Sequence, residues 1–140
     1  MAFNFRGLDE VRLSLQEVAK LPDSVKDDML NAGADALIPV QRAKAREMGV
    51  HRTGELIRSI GKTKPKTDKH GTRLIQVYAQ GSRKRGRKST TNAQIHFVNE
   101  FGTKKQKARP FTKAANEAAK EDVAAAELAV YDQWLKDHDL

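Results

Sequence analysis

The placement of charge limits most strongly what this chain can fold into. Residues 42–109 carry nineteen Lys/Arg against four Asp/Glu, a net of +15, whereas residues 1–41 carry −3 and residues 110–140 carry −4. A segment this basic has to stay largely on the surface, so the core must come from the acidic ends and from short apolar islands in the middle. The block also creates a local field that attracts phosphate or an acidic protein face, an attraction that salt weakens.

At 140 residues the chain fits one domain. Charged residues make up 31% of it and aromatics 6%, which implies a modest core under a wide polar surface. The absence of cysteine excludes disulfides and thiolate metal sites. No apolar run approaches the roughly 18 to 20 residues that span a bilayer, and the N-terminal segment lacks the order of a signal peptide. These features point to no membrane partner.

Leu8, Val11, Leu15 and Val18 recur at helical steps and predict a first amphipathic helix, ended by Pro22. Asp23 or Ser24 is expected to cap a second helix with its apolar face along Val25, Met29, Ala32, Ala36, Val40 and Ala43, widened by Leu30, Leu37 and Ile38. The small residues Ala32, Gly33, Ala34 and Ala36 suit close approach of another backbone. Pro39 is expected to kink or split this helix, and Gly49 to stop it. A short helical element with Thr53 as cap leads into an extended stretch at 59–64, stopped by Pro65. A turn over 68–72, centred on Gly71, precedes an alternating strand at 73–79, with Leu74 and Tyr78 on one side and Ile75 and Val77 on the other, paired antiparallel with 59–64.

Residues 81–92, GSRKRGRKSTTN, contain nothing apolar and read as a loop. Ile95, Phe97, Val98 and Phe101 follow, read as a strand with a buried aromatic pair that ends in a turn at Gly102. Pro110 begins a last helix whose face is Phe111, Ala115, Ala119, Val123, Ala126, Val130 and Trp134. The expected fold is α+β: N-terminal helices, a small antiparallel sheet with a long basic loop, and a C-terminal helix packed on the sheet. It forms a single domain over 1–140, with a helical part at 1–48, the short helix and strands at 53–101, and the basic turn and final helix at 102–140.

No arrangement of residues announces chemistry. His51, His70, His96 and His138 lie in four separate segments without metal-ligand spacing. The serines lack a nucleophile-elbow context, and no glycine-rich loop has phosphate-cradling spacing. Catalysis, a cofactor and a metal are therefore not expected. The residues free to act are the basic ones: Arg83, Lys84, Arg85, Arg87 and Lys88 in one loop, and Lys104, Lys105, Lys107 and Arg109 in the next. These loops contain no aromatics to stack on bases, so contact with a nucleic-acid backbone would be blind to sequence. An acidic protein face would serve equally.

One ordered set of residues is familiar. Thr53-Gly54-x-Leu56-x-x-Ser59-Ile60 is followed about 40 residues later by Val98-x-Glu100-Phe101-Gly102-Thr103 and Ala108-Arg109-Pro110-Phe111. The set resembles that of the small neck or tail-completion proteins of long-tailed bacteriophages and prophages, and it covers nearly the whole chain. The resemblance implies a structural subunit of the virion, set in a homo-oligomeric ring between the DNA-filled head and the tail. Head-connector and tail-terminator or tail-tube proteins would be its partners, packaged DNA would be touched without specificity, and there would be no cofactor. Most motif positions suit the fold itself: Leu56, Ile60, Phe101 and Phe111 as core, Thr53 as cap, Gly102 as a turn with positive φ, Pro110 as helix start. Glu100 and Arg109 are the expected ion-pair partners, within the subunit or between neighbours. The alternative from a different class is a free, sequence-nonspecific DNA-binding protein acting through the basic loops.

Overall fold

The computed structural model describes residues 3–4, 9–13, 20–50, 54–85 and 88–138, with the backbone alone at 3–4, 12–13, 83–85 and 88–89. The fold is α+β, as expected. In chain order its elements are β1 (Phe3–Asn4), β2 (Glu10–Leu13), α1 (Asp23–Glu47), α2 (Glu55–Ser59), β3 (Ile60–Lys62), β4 (Lys66–Thr67), β5 (Arg73–Ala79), β6 (Ser82–Arg85), β7 (Lys88–Thr91), α3 (Asn92–Phe101) and α4 (Phe111–Asp137).

The antiparallel sheet is organised around β5. On one side β2 pairs with it in the register Val11↔Ile75 and is itself flanked by β1. On the other side β3 pairs as Ile60↔Ala79 to Lys62↔Val77, and β4 as Lys66↔Leu74. Residues 63–65 thus face only 75–76, the extra-residue count of a β-bulge, where Pro65 has no N–H to give the ladder. Pro65 interrupts the strand without ending it. The turn at 68–72 forms as read: Asp68 Oδ1 accepts from His70 N and Thr72 N, and Gly71 takes φ +80°.

The N-terminal helix expected over 8–18 is not what forms at its centre. Glu10–Leu13 is a strand, and Val11 lies fully buried against Ile75. The sequence Glu-Val-Arg-Leu alternates, so this stretch satisfies both periods, and an open edge on β5 decides for the strand. The rest of the expected helix, apart from Asp9, lies outside the described residues.

Helix α1 runs without a break through Pro39, which sits on its exposed side where water can take the freed carbonyl. Neither Asp23 nor Ser24 caps it; Pro22 holds the N-cap position, and its carbonyl accepts from Val25 N and Lys26 N. Its end is a Schellman motif: Gly49 at φ +79°, Gly49 N donating to Arg46 O and Val50 N to Ala45 O, with Ala45 and Val50 buried together. The buried face is Val25, Met29, Leu30, Gly33, Ala34, Leu37, Gln41 and Ala45. Val25, Met29, Leu30 and Leu37 are buried as expected, while Gly33, Ala34, Gln41 and Ala45 take the places expected of Ala32, Ala36, Val40 and Ala43. Gly33 allows the predicted close approach, since a Cβ there would lie 3.0 Å from Val123 Cγ1 of α4. Phe111, Ala115, Ala119 and Val123 of α4 share one core with Leu30, Leu37, Ile57, Ile60, Ile75 and Val77. Arg73 fastens the sheet to α1 through paired bonds to Asp27, Nε–Oδ1 2.7 Å and Nη2–Oδ2 3.0 Å.

Two further expectations are corrected. The segment 81–92 is not a loop: β6 and β7 form a two-stranded ribbon in the register Ser82↔Thr91 to Arg85↔Lys88. A ribbon draws on backbone hydrogen bonds and needs no apolar side chains to close. Residues 95–101 are not a strand but the body of α3, started by a capping box in which Thr91 Oγ1 accepts from Gln94 N and Gln94 Oε1 from Thr91 N.

Candidate assembly surface

The two motif blocks, about 40 residues apart in sequence, meet at the end of β5. In the first block Gly54 takes φ +72° ahead of α2, Leu56 and Ile60 are buried, and Ser59 Oγ donates to Leu56 O. Thr53 lies outside the described residues. Ile60 pairs with Ala79, whose amide donates to His96 Nδ1 at 3.1 Å on the side away from β3. With Nδ1 accepting, Nε2 carries the proton and donates to Thr112 Oγ1 at 2.6 Å. The imidazole also lies 4.7 Å from the Phe111 ring. Burial lowers the His96 pKa to about 4, so it is neutral and serves as a packing and hydrogen-bonding residue.

Glu100, the acidic residue of the second block, is 3% exposed and does not pair with Arg109. Its carboxylate accepts from Thr112 N at 2.8 Å and Lys113 N at 3.0 Å, capping the first turn of α4, where Pro110 provides no side-chain cap. Arg109 instead donates from Nη1 to Gly49 O at the C-terminal end of α1, where a cation suits the helix dipole. Gly102 has φ +75°, and a Cβ there would lie 2.8 Å from Ala108 N. The chain from 103 to 109 therefore folds back on the end of α3. Thr103 Oγ1 accepts from Lys105 N and Gln106 N, Gln106 Nε2 donates to Asn99 Oδ1, and Arg109 N to Asn99 O. The second basic loop is thus an ordered turn, and it presents Lys104, Lys105 and Lys107 to solvent.

Phe101 was expected in the core beside a buried aromatic neighbour; both rings are outside. Helix α3 turns its polar residues Asn92, His96, Asn99 and Glu100 inward and leaves Phe97 62% and Phe101 55% exposed, their centroids 4.8 Å apart. The inward partners explain the inversion, since His96 and Glu100 take up backbone amides that nothing apolar could satisfy and Asn99 holds Gln106 of the turn. The capping box Thr91-x-x-Gln94 was the sequence signal for this helix, and with the spacing 92, 96, 99 it would have placed the polar face. Of the first basic segment, Arg83, Lys84, Arg85 and Lys88 lie on β6 and β7, which join α3 at its N-terminal end; Arg87 is outside the described residues. The outcome is an exposed aromatic pair on the outer face of α3, followed directly by a turn with three exposed lysines.

Elsewhere, an open groove of about 500 Å³ runs between α1 and the last turns of α4. On the same helix pair Glu127 is fully buried, and burial pushes its pKa up to about 9. It is uncharged at neutral pH. Among the described residues no group of His, Asp and Glu is arranged to hold a metal, and no helix is long and apolar enough to cross a membrane. No family model matches the chain, and neither does any curated protein or solved structure.

Proposed function

We propose that the chain is a structural virion-assembly protein of a tailed phage or prophage, a neck or tail-completion subunit that joins the head connector to the tail. The observation that carries this reading is that residues of the two motif blocks, Leu56 and Ile60 of the first and Phe111 of the second, share one buried core, with Glu100 capping α4 beside it. The ordered residues of the motif are spent on joining chain segments, and the cations are left outside. A subunit that works by docking uses its residues in that way. In a ring the basic surface of each copy repeats around the axis and builds a cationic collar. The collar would face the passing DNA or acidic faces of the head-connector and tail-terminator or tail-tube proteins, in the virion and without catalysis.

The test is genetic and biochemical. Removal of the gene should leave filled heads and free tails that do not join, and the chain should be found in purified tailed particles. Normal yields of infectious particles without it would overturn the reading.

A second reading, sequence-nonspecific DNA binding by the free protein, gains from one observation: Phe97 and Phe101 supply, between the basic segments, the stacking faces that the loops lack. It requires salt-sensitive, sequence-blind affinity of the isolated chain for DNA, whereas the neck reading requires incorporation into particles.

A further inference from the structure

Two surface features are left unexplained by the fold, and they lie at opposite ends of α4. At one end stand the exposed rings of Phe97 and Phe101, with the ordered turn carrying Lys104, Lys105 and Lys107 following directly. Aromatic area on this scale is costly to leave in water, and among the described residues both rings stay more than half exposed. At the other end lies the groove between α1 and α4. Val25, Ala129, Val130 and Trp134 make it apolar, and the exposed carboxylates Asp28 and Asp137 line it.

We propose that the aromatic pair of one copy seats in the α1–α4 groove of a second copy, with the lysines of the turn meeting Asp28 and Asp137. The features match in kind: an aromatic knob beside positive charge, an apolar groove beside negative charge. They cannot meet within one chain. Helix α3 touches α4 at Thr112, and Ala129 lies seventeen residues further along a continuous helix, roughly 25 Å at the helical rise. The two faces differ, so the contact is head-to-tail and leaves each copy with a free knob or a free groove until a ring closes. This inference rests on the neck reading's ring of identical subunits and names the faces that would build it.

Sedimentation velocity on the full chain tests it. Wild type should associate with rising concentration at about 50 mM salt and return toward monomer at about 500 mM. Phe97→Asp with Phe101→Asp removes the knob, and Ala129→Arg with Asp137→Lys blocks the groove. All four positions are exposed, and far-UV circular dichroism checks that each variant is folded. Each variant alone should dissociate about tenfold more readily or worse, and an equimolar mixture should stop at a heterodimer, since only one intact contact remains. A wild type that stays monomeric throughout, a knob variant that associates as wild type does, or a mixture that grows past the dimer overturns the proposal. So does a knob variant that loses binding to a single-stranded oligonucleotide while self-association is unchanged. Particle assembly separates this contact from the reading beneath it. If the knob variant enters tailed particles at normal yield, the contact falls and the neck reading stands. If wild type associates through these faces yet is absent from particles, the contact stands and the neck reading falls.

Discussion

Helix α4 is bordered by two buried polar regions that the fold treats in opposite ways. At its N-terminal end His96 and Glu100 are engaged at both polar atoms of their side chains, each with a group from a different chain segment. Several turns further along the same helix Glu127 is at least as buried, and neither carboxyl oxygen has a partner. A buried polar group stabilises where it completes something the backbone lacks: the Ala79 amide takes its acceptor from His96, and the first amides of α4 have no carbonyl behind them. Glu127 sits mid-helix, where the backbone is already paired, beside Gly33 at the closest approach to α1. It has nothing to complete, so the seam tolerates it only in the neutral form.

The contrast can be broken most sharply at Glu100. Glu100→Ala leaves the amides of Thr112 and Lys113 without an acceptor in the interior, and should cost about 3 kcal/mol in urea unfolding. A loss below about 1 kcal/mol would mean that the engaged centre is no more valuable than the unpaired seam.

The reverse sign is expected at Glu127. Glu127→Leu keeps the volume, removes the orphan oxygens, and should stabilise by about 2 kcal/mol at pH 8. The pH dependence sharpens this. The folded state holds the Glu127 proton up to about pH 9, while the unfolded chain releases it near 4.5. Wild-type stability should therefore fall as pH rises between those values, and the advantage of the leucine should grow over the same window. His96 acts oppositely. Its folded pKa of about 4 lies below its ordinary 6.5, so its contribution is complete above pH 6.5 and is lost as pH falls toward 4. Thermal melts of wild type and Glu127→Leu across pH 5 to 9, converging at the acid end, are the measurement.

The smallest effect on stability belongs to the outer face of α3. Phe97→Ser with Phe101→Ser should shift unfolding by less than about 0.5 kcal/mol, because neither ring contributes to the core. A larger loss would mean that these rings support the fold.

Several positions were legible because their local chemistry leaves little choice. Gly49, Gly71 and Gly102 mark backbone with positive φ, and all three adopt it. Leu56, Ile60 and Phe111 read as core and are core. The alternating strand 73–79 was visible from its period, and its extended partner, expected at 59–64, forms over Ile60–Lys62. The same local rules misplaced Phe101, since an apolar residue is normally assigned inward, and here three polar neighbours on the opposite helical face had stronger claims to the interior. They also made a helix of Glu10–Leu13, a strand of α3, and an ion pair of Glu100 and Arg109, whose charges go instead to opposite ends of two different helices.

What the sequence by itself determined was the division of labour: a middle segment whose charges stay at the surface around short apolar islands, small residues where helices must approach, and glycines and prolines where the chain must turn. These follow from sterics and solvation acting within a few residues. Only the tertiary structure decided which polar side chains went inside. That choice depends on the backbone amides of Ala79, Thr112 and Lys113, which take side-chain acceptors, and no local pattern records where another segment will bring such an amide.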